Sequence, residues 1–388
     1  MAAQVYDYIV LGAGVHGLFT ALQLLRHEPG AKTLVLEQFD LGHARGSSHG
    51  ASRIIRKAYT KLHYSQMMDE SFSMWESLSR EAGIKLITPT GLLILGPPDD
   101  SGLQTAGVVL QQTPGKDQAA RVPSLNPHAS YGLWDEDGGV LHADNAVKAL
   151  LNKFYICVQE VVRQRGGEVQ DGSKVIRIQP GSPLRLEVEA MGWYTTRALI
   201  LTPGAWAGLL LKQLGLWAPL KVIQVDVCYW REKEPGQHSV ENGFPCIIHF
   251  NSCGDEKSIY ALPPIDYPHL VKLCGHFGME VHPDTMERHH DAQSLAFLSA
   301  YVANHLPNLD STPACIDSCL YTNTPDADFI IDKHPRYDNI IIGAGFSGHG
   351  FKLAPVVGKL LSELASGRHP SYKLTPFRIG RFALKANL

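Results

Sequence analysis

The first strand and turn of this chain constrain its fold more than any other segment. Residues 5–11 form an apolar run typical of a buried strand, and Gly12, Gly14 and Gly17 follow with GxGxxG spacing. A helical pattern comes next, and a second apolar run ends in Glu37. Gly12 permits a tight turn, Gly14 a close approach of backbone to a pyrophosphate, and Gly17 close packing of helix and strand. The segment predicts a Rossmann-like β-α-β unit that binds an adenine dinucleotide, FAD or NAD, with Glu37 on the ribose hydroxyls.

The bulk properties are those of an ordinary globular protein large enough for two domains. The chain has 388 residues, 44% of them hydrophobic and 19% charged, and a net charge of -3. This balance offers no basic surface for nucleic acid. We find no apolar run of about 18 residues that could span a bilayer. The seven cysteines lack CxxC spacing, so we expect neither a disulfide framework nor a metal site.

A second glycine-rich turn lies near the C-terminus. Gly343, Gly345 and Gly348 repeat the GxGxxG spacing after an apolar run, and a helical pattern follows. No acidic residue follows at the distance that separates Glu37 from Gly17, and too little chain remains for a second β-α-β domain. We therefore expect the chain to return and contact the same cofactor, rather than to bind a second dinucleotide.

The remaining pattern alternates between helices and strands in the first half and becomes mostly β later. Helical periodicity is found near 64–83, 144–166 and 290–305, and residues 168–201 read as three strands. From residue 221 the pattern is largely that of strands.

Three basic residues stand out in the pattern, a pair of arginines and one lysine. Arg53 and Arg56 are three residues apart, a spacing that places both on one helical face or in a turn. An anion beside them is one interpretation, and a solvated basic patch with Lys57 is the other. Lys272 stands between Leu270 and Leu273 in an apolar strand, where a lysine is costly unless it has a function.

Five segments resemble the monomeric sarcosine oxidase family of FAD-dependent amine oxidoreductases, including its peroxisomal vertebrate members. They are the first glycine-rich turn with Glu37, HARGSSHGASRIIRKAY (43–59), LILTPGAW (199–206), IYALP with VKLCGH (259–276), and the run 318–358. The resemblance implies an α/β fold with an FAD-binding Rossmann-like domain of the DAO/glutathione-reductase type and a β-sheet-rich substrate domain. The expected FAD-binding domain is discontinuous, 1–85, 145–220 and 322–388, and the substrate domain comprises 86–144 and 221–321.

The resemblance also implies how FAD is held. Cys319, before Leu320, Tyr321 and Thr322, matches the cysteine that forms a thioether to the 8α carbon of FAD, although a buried structural cysteine is the plain alternative. His49 matches a histidine beside the flavin, with a structural role as its alternative. Gly345 and Gly348 belong to the returning turn over the cofactor.

Catalytic and substrate-binding roles follow from the same resemblance. Arg56 and Lys352 match residues that bind the substrate carboxylate, and Arg53 one that lies near the flavin. Lys272 matches the lysine that activates oxygen, where a fixed cation stabilises superoxide as it forms. Three further residues match the lining of the substrate cavity: Tyr260, His276 and Tyr321.

The implied reaction is the oxidation of a secondary amino acid, sarcosine or L-pipecolate, to an imine, with O2 reduced to H2O2. One alternative is an amine dehydrogenase that passes electrons to another protein and needs no Lys272. The other is a flavin-binding protein without turnover, against which Arg56, Lys352 and Cys319 argue together. We expect a monomer whose partners are the small substrate and O2, with neither nucleic acid nor membrane among them.

Two further features concern location and packing. Ala386-Asn387-Leu388 resembles the peroxisomal Ser-Lys-Leu address with Asn in place of the base. Together with a peroxide product it predicts a peroxisomal protein that binds the import receptor, with the cytoplasm as the alternative. Residues 154–158 make the helix longer than its counterpart in the family; a tolerated extension or an isoform feature is one interpretation, and a change in local packing and activity is the other.

Overall fold

The computed structural model describes residues 5–128, 130–162, 167–252, 257–284 and 289–382, without the side chains of 156–162. The strands are β1 (Val5–Leu11), β2 (Thr33–Leu36), β3 (Ser52–Ile55), β4 (Ile87–Pro89), β5 (Leu92–Gly96), β6 (Tyr131–Asp135), β7 (Gly139–His142), β8 (Glu168–Gln170), β9 (Val175–Gln179), β10 (Leu184–Val188), β11 (Gly192–Leu201), β12 (Lys221–Arg231), β13 (Cys246–His249), β14 (Ile259–Tyr267), β15 (Leu270–Gly275), β16 (Met279–Glu280), β17 (Cys315–Asn323), β18 (Ile330–Lys333) and β19 (Ile340–Ala344). The helices are α1 (Val15–His27), α2 (Leu62–Ala82), α3 (Ser101–Leu110), α4 (Lys116–Ala119), α5 (Ala143–Val162), α6 (Ala207–Gln213), α7 (Ala292–His305) and α8 (Ala354–Ala365).

The first sheet has the order β18-β19-β11-β1-β2-β8, with β10 and β9 attached to β11. β1 is parallel to both β2 and β11, and β11 is parallel to β19. Both faces are covered, since Val10 packs in one core with α1 and α8 while Ile9 packs in another with β10. This explains why these strands are apolar throughout. β8 is also parallel to β2, so the carboxyl ends of five parallel strands meet at one edge, and both glycine-rich turns leave from that edge.

The second sheet is mainly antiparallel, in the order β16-β12-β15-β14-β13-β5-β6, with β17 paired to β12. β17 runs beside β12 from Lys221 opposite Asn323 to Tyr229 opposite Cys315. The register of β14 against β15 shifts between Leu262 and Tyr267. Helix α7 contributes Leu298 and Val302 to the core on one face of this sheet.

A third, small sheet corrects one sequence prediction. β3 pairs with β7, which also pairs with β4, so Arg53 lies in a strand and Arg56 just after it. The helical interpretation of their spacing was wrong, because Ile54 and Ile55 are β-branched and buried, each in a different hydrophobic core.

The segment 168–201 holds four strands, β8 to β11, and not three. A turn with Ala190 at a φ of 59° separates β10 from β11, a break that the sequence pattern did not reveal. The helices predicted near 64–83 and 290–305 correspond to α2 and α7.

The mixed α/β architecture agrees with the predicted fold class, while the domain bounds stay a prediction. The C-terminal Ala386-Asn387-Leu388 lies outside the described residues, as do the side chains of 156–158 within the extra segment of α5. Among the described residues, none of the helices is long and apolar enough to cross a membrane.

Candidate active site

The carboxyl edge of the first sheet opens into a cavity of about 640 Å³ that reaches the second sheet. Its walls include the turns after β1 and β19, the loop before β3, and parts of β12, β14, β15 and β17. Segments distant in sequence therefore meet around one cavity, which is large enough for a ligand of substantial size.

The turn after β1 can be built only with glycine. Gly12 has a φ of +104°, and a Cβ there would lie 2.5 Å from the carbonyl oxygen of Thr202. A Cβ on Gly17 would overlap the carbonyl oxygen of Gly12. The Ser48 Oγ accepts a hydrogen bond from the Val15 N–H at 3.1 Å, so the loop before β3 reaches the N-terminus of α1. This N-terminus faces the cavity and suits an anionic group.

Glu37, directly after β2, is a buried carboxylate in the same cavity. Its two oxygens accept hydrogen bonds from Ala13 N–H at 2.9 Å and Phe39 N–H at 3.1 Å. Burial raises the pKa of Glu37, but His43 and the two backbone donors outweigh it and hold the pKa below its usual value. The group is thus an ionised acceptor at the position expected for a ribose.

The second glycine-rich turn lines the same cavity as the first. Gly345 and Gly348 have φ values of 66° and 75°, in the left-handed region that favours glycine. A Cβ on Gly348 would lie 2.5 Å from the ring of Tyr321, so the turn passes close over this side chain. The returning chain therefore completes the cavity, as the sequence predicted for one shared cofactor.

Arg53 and His49 are held by backbone carbonyl groups. Arg53 donates to the carbonyl oxygens of Ser47, His49 and Ser52 and lies over the Phe351 ring at 5.4 Å. A ring nitrogen of His49 lies 3.1 Å from the Ser318 carbonyl oxygen, and burial lowers its pKa. Both residues therefore order the loop before β3, with the Arg53 charge kept inside it.

Arg56 and Lys352 differ from Arg53 in their partners. Both line the cavity, and neither forms an ion pair with a carboxylate in the part of the chain that the structure describes. Among the described residues, the buried Arg56 Nε has no hydrogen-bond partner, and the Lys352 Nζ donates to the His349 carbonyl oxygen at 3.5 Å. Burial and the charges of Arg56 and Arg53 hold the pKa of Lys352 well below its usual range. An arginine and a lysine in this arrangement form a site for an anion, whose charge would favour the ammonium form of Lys352.

One wall of the cavity is aromatic and uncharged. The ring of His276 lies 4.7 Å from that of Tyr260 and 6.0 Å from that of Tyr321. Burial, Arg56 and Lys352 lower the pKa of His276 to about 3. Burial also raises the pKa of both tyrosines. These side chains stay neutral near neutral pH, so the positive field comes from arginine and lysine alone.

Cys319 and Lys272 reach the cavity from the second sheet. Cys319 is partly buried on β17, and its register partner on β12 is Val225. The other cysteine of this strand, Cys315, is exposed. Lys272, on β15, is buried and pairs with Asp266 at 3.1 Å.

Several residues of the site were not identified from the sequence. Asp266 follows two prolines and carries no recognisable motif. Tyr59 and His349 lie three residues from Arg56 and Lys352 in the sequence, but that spacing was not interpreted as a sign of contact. His16, inside the first glycine-rich turn, stacks on Phe346 with ring centroids 3.6 Å apart. Its position in the motif was the only available signal.

The site geometry can be set beside known proteins. A family model described as DAO, FAD dependent oxidoreductase, matches residues 7–364. Peroxisomal sarcosine oxidase from Homo sapiens is 45% identical, with 98% of both chains covered. Monomeric sarcosine oxidase from Bacillus sp. (strain B-0618) is 32% identical, with 99% of this chain and 98% of the other covered.

Solved structures show the same fold at lower identity. NikD, an unusual amino acid oxidase of nikkomycin biosynthesis, superposes with a TM-score of 0.81 at 21% identity, covering 97% of this chain and 98% of its own. L-proline dehydrogenase from P. horikoshii gives a TM-score of 0.77 at 22% identity, with 99% of both chains covered. Both likenesses concern the fold.

Proposed function

The chain belongs to the DAO family of FAD-dependent oxidoreductases, and on that premise we propose that it oxidises small secondary amino acids with O2. It is an FAD-dependent amine oxidase, as its similarity to sarcosine oxidases across nearly its full length indicates. Sarcosine and L-pipecolate are the two substrates to compare.

One observation supports the proposal that the substrate amine also has a carboxylate. Arg56 and Lys352 place two cations at the cavity wall, and among the described residues no carboxylate pairs with either of them. Unpaired buried charges are costly, so an anionic group of the substrate would stabilise both. An α-carboxylate fits this pair, because the planar guanidinium offers two parallel donors and the ammonium a third.

The residues present fit FAD. The glycine cradle of Gly12 and Gly17, the N-terminus of α1 and the ionised Glu37 suit a pyrophosphate and a ribose. When bound, FAD supplies the two-electron acceptor that takes a hydride from the carbon beside the amine nitrogen and passes the electrons to O2, giving H2O2.

Cys319 is the proposed point of covalent attachment. A thioether between its Sγ and the 8α carbon of FAD removes one hydrogen from each partner, and O2 takes up both with two electrons as H2O2. The partial burial of Cys319 at the cavity wall supports this, as does the separation of Cys315 from that wall. Attachment would hold the cofactor through every turnover.

The chain's own groups bind and orient the amine. Arg56 and Lys352 fix the carboxylate, and the wall of Tyr260, His276 and Tyr321 surrounds the rest of the substrate. His276 keeps a pKa of about 3, so it does not compete with the substrate for a proton near neutral pH. We infer that the amine reacts as its neutral form, without a strong protein base.

Lys272 is proposed to favour O2 as the electron acceptor. Its ammonium lies buried at the cavity wall, where a fixed cation lowers the energy of superoxide. The alternative, an amine dehydrogenase, needs no such charge. Lys272 is therefore the residue that separates the two functions.

Location and assembly are proposals of the same kind. The mouse and human relatives are named as peroxisomal, and a reaction that releases H2O2 suits that compartment. We propose a peroxisomal monomer that reaches the import receptor through Ala386-Asn387-Leu388.

The experiment that tests the function compares matched amines under anaerobic conditions. Sarcosine and L-pipecolate should bleach the bound flavin, while dimethylamine and piperidine, which lack the carboxylate, should do so at least about 30-fold more slowly, as expected for a lost charge-assisted contact of about 2 kcal/mol. Equal bleaching by amines with and without a carboxylate would contradict the proposal.

A further inference from the structure

Lys272 is not an isolated cation. Its Nζ lies 3.1 Å from the Asp266 Oδ2 and 3.2 Å from both the carbonyl oxygen and the Oγ of Ser52. The two charged side chains are 6% and 3% exposed. The ammonium thus has an acceptor for each of its three protons, and one of these acceptors carries a full charge.

A bulge in the second sheet creates this pair. Leu262 stands opposite Lys272, whereas the next register pair joins Tyr267 to Leu270, so that residues 263–266 oppose only Val271. The extra residues bend β14 and redirect the Asp266 side chain. An unbroken antiparallel register would not place this acid beside a lysine of the neighbouring strand.

Asp266 lies behind Lys272 as seen from the cavity. Lys272 and Ser52 line the cavity wall, and Asp266 does not. Its Oδ2 also accepts hydrogen bonds from Ser52 Oγ at 2.9 Å and Tyr229 Oη at 3.0 Å. Burial raises the pKa of Asp266, but Lys272, Ser52 and Tyr229 together bring it below its usual value. The carboxylate therefore stays ionised in a buried place.

A buried ammonium needs such a partner. Burial of a lysine favours its neutral amine. An opposite charge within about 4–6 Å favours the ammonium, and such a charge typically shifts a pKa by about 1–3 units. Without the carboxylate, Lys272 would keep only the neutral oxygens of Ser52 as acceptors. The charge at the cavity wall would then lack an opposite charge beside it.

Other groups that face the pair do not change charge between about pH 7 and 9. They come from the neighbouring strands: Tyr229 on β12, Tyr267 on β14, Cys274 on β15, Arg53 on β3 and His142 on β7. Burial raises the pKa of Cys274 to about 11 and lowers that of His142 below 6.5. The pKa values of both tyrosines are raised above 10, and arginine stays charged.

We propose that Asp266 is a positioning residue that keeps the Lys272 ammonium charged and held against Ser52, so that reduction of O2 depends on an acid outside the cavity. This rests on the role proposed for Lys272. Amine oxidation, which uses Arg56 and Lys352, depends on Asp266 only weakly.

Asp266→Asn tests the proposal because it keeps the shape and removes the charge. We expect the rate of flavin reoxidation by O2 to fall as the pH rises. In Asp266→Asn this fall should occur about 1–3 pH units lower than in wild type. The visible absorption of the oxidised bound flavin should be titrated without substrate as well, and the midpoint of its change with pH should shift by the same number of pH units. Asp266→Glu should restore both profiles, and the control Tyr229→Phe, which removes one hydrogen bond and no charge, should leave both unchanged.

If Asp266→Asn alone is unstable, the double variant that combines Lys272→Met with Asp266→Asn still tests the role of Asp266. Lys272→Met leaves the Asp266 carboxylate buried and unpaired, so adding Asp266→Asn should raise the Tm and slow reoxidation no further. Two results would overturn the role of Asp266. In one, Asp266→Asn slows reoxidation by the same factor in Lys272→Met as in wild type. In the other, the alkaline fall of the reoxidation rate occurs at the same pH in Asp266→Asn as in wild type. If Lys272→Met does not slow reoxidation selectively, the role of Lys272 is wrong and this inference with it. Peroxide release by the wild-type enzyme tests the proposed function separately.

Discussion

Lys352 and Arg56 come from opposite ends of the chain, yet burial and the Arg56 guanidinium together hold the pKa of Lys352 well below its usual range. One residue follows β3 and the other follows the turn after β19, and both line one cavity. Their mutual repulsion is relieved when an anion binds between them, which makes the carboxylate of a substrate part of the electrostatic balance of the site.

Removing either cation should therefore weaken transition-state binding. Arg56→Met or Lys352→Met is expected to lower kcat/KM for sarcosine about 30- to 1000-fold, or about 2–4 kcal/mol, because one buried charge-assisted contact is lost. Lys57→Met is the control, since Lys57 pairs with Asp69 on the surface beside Arg56. Steady-state kinetics decide the point, and an unchanged kcat/KM in both cavity variants would refute the carboxylate site.

Covalent attachment can be tested with two cysteines of one strand. Acid-precipitated wild type should stay yellow, Cys319→Ala should release its colour, and Cys315→Ala should behave as wild type because Cys315 is exposed on β17. The absorbance of the washed precipitate measures the bound flavin. Loss of colour from the wild-type precipitate would rule out a covalent bond.

Much of the fold was predictable because its signals are local. The strand, the turn of Gly12, Gly14 and Gly17, and Glu37 follow one another in sequence, so their pattern alone predicts the β-α-β unit. The resemblance then predicted which distant residues meet, and most of them line the cavity, among them Arg56, Lys272, Cys319 and Lys352.

The unpredicted features are those that depend on pairing between distant strands. The Asp266–Lys272 contact needs the bulge in β14, and the strand conformation of Arg53 needs β7 as a partner. Neither could be read from the sequence, since both depend on which strands become neighbours and in which register. The spacing alone therefore gave the wrong conformation for the Arg53 segment.

Lys272 should separate the two half-reactions. Lys272→Met keeps most of the stem and removes the charge, so anaerobic flavin reduction should stay within about tenfold of wild type. Reoxidation by air should slow at least about 100-fold, or ~2.7 kcal/mol. Stopped-flow absorbance follows each step, and an artificial electron acceptor should restore turnover. Equal slowing of both steps would show a structural or substrate-positioning role.

Acid stability should report a buried histidine outside the cavity. His249 is buried between Ser130 and the Tyr301 hydroxyl, and burial lowers its pKa to about 3. Because the unfolded histidine binds a proton near pH 6.5, the stabilisation is complete above that pH and falls by up to about 1.4 kcal/mol per pH unit towards pH 3.

The measurement is the difference in Tm between pH 7 and pH 5. It should be smaller in His249→Gln than in wild type, while the exposed control His369→Gln should match wild type. If His249→Gln loses as much Tm as wild type on acidification, protonation of His249 does not limit acid stability.

The most direct test of an oxidase that acts on carboxylated secondary amines is the balance of O2 and H2O2 during turnover. With sarcosine or L-pipecolate, purified wild-type holoenzyme should consume one O2 and release one H2O2 for each substrate oxidised, with an oxygen electrode and a peroxidase-coupled assay in agreement. Flavin that is bleached by substrate but not reoxidised by air would contradict the oxidase and favour the dehydrogenase, and flavin that neither substrate bleaches would contradict both.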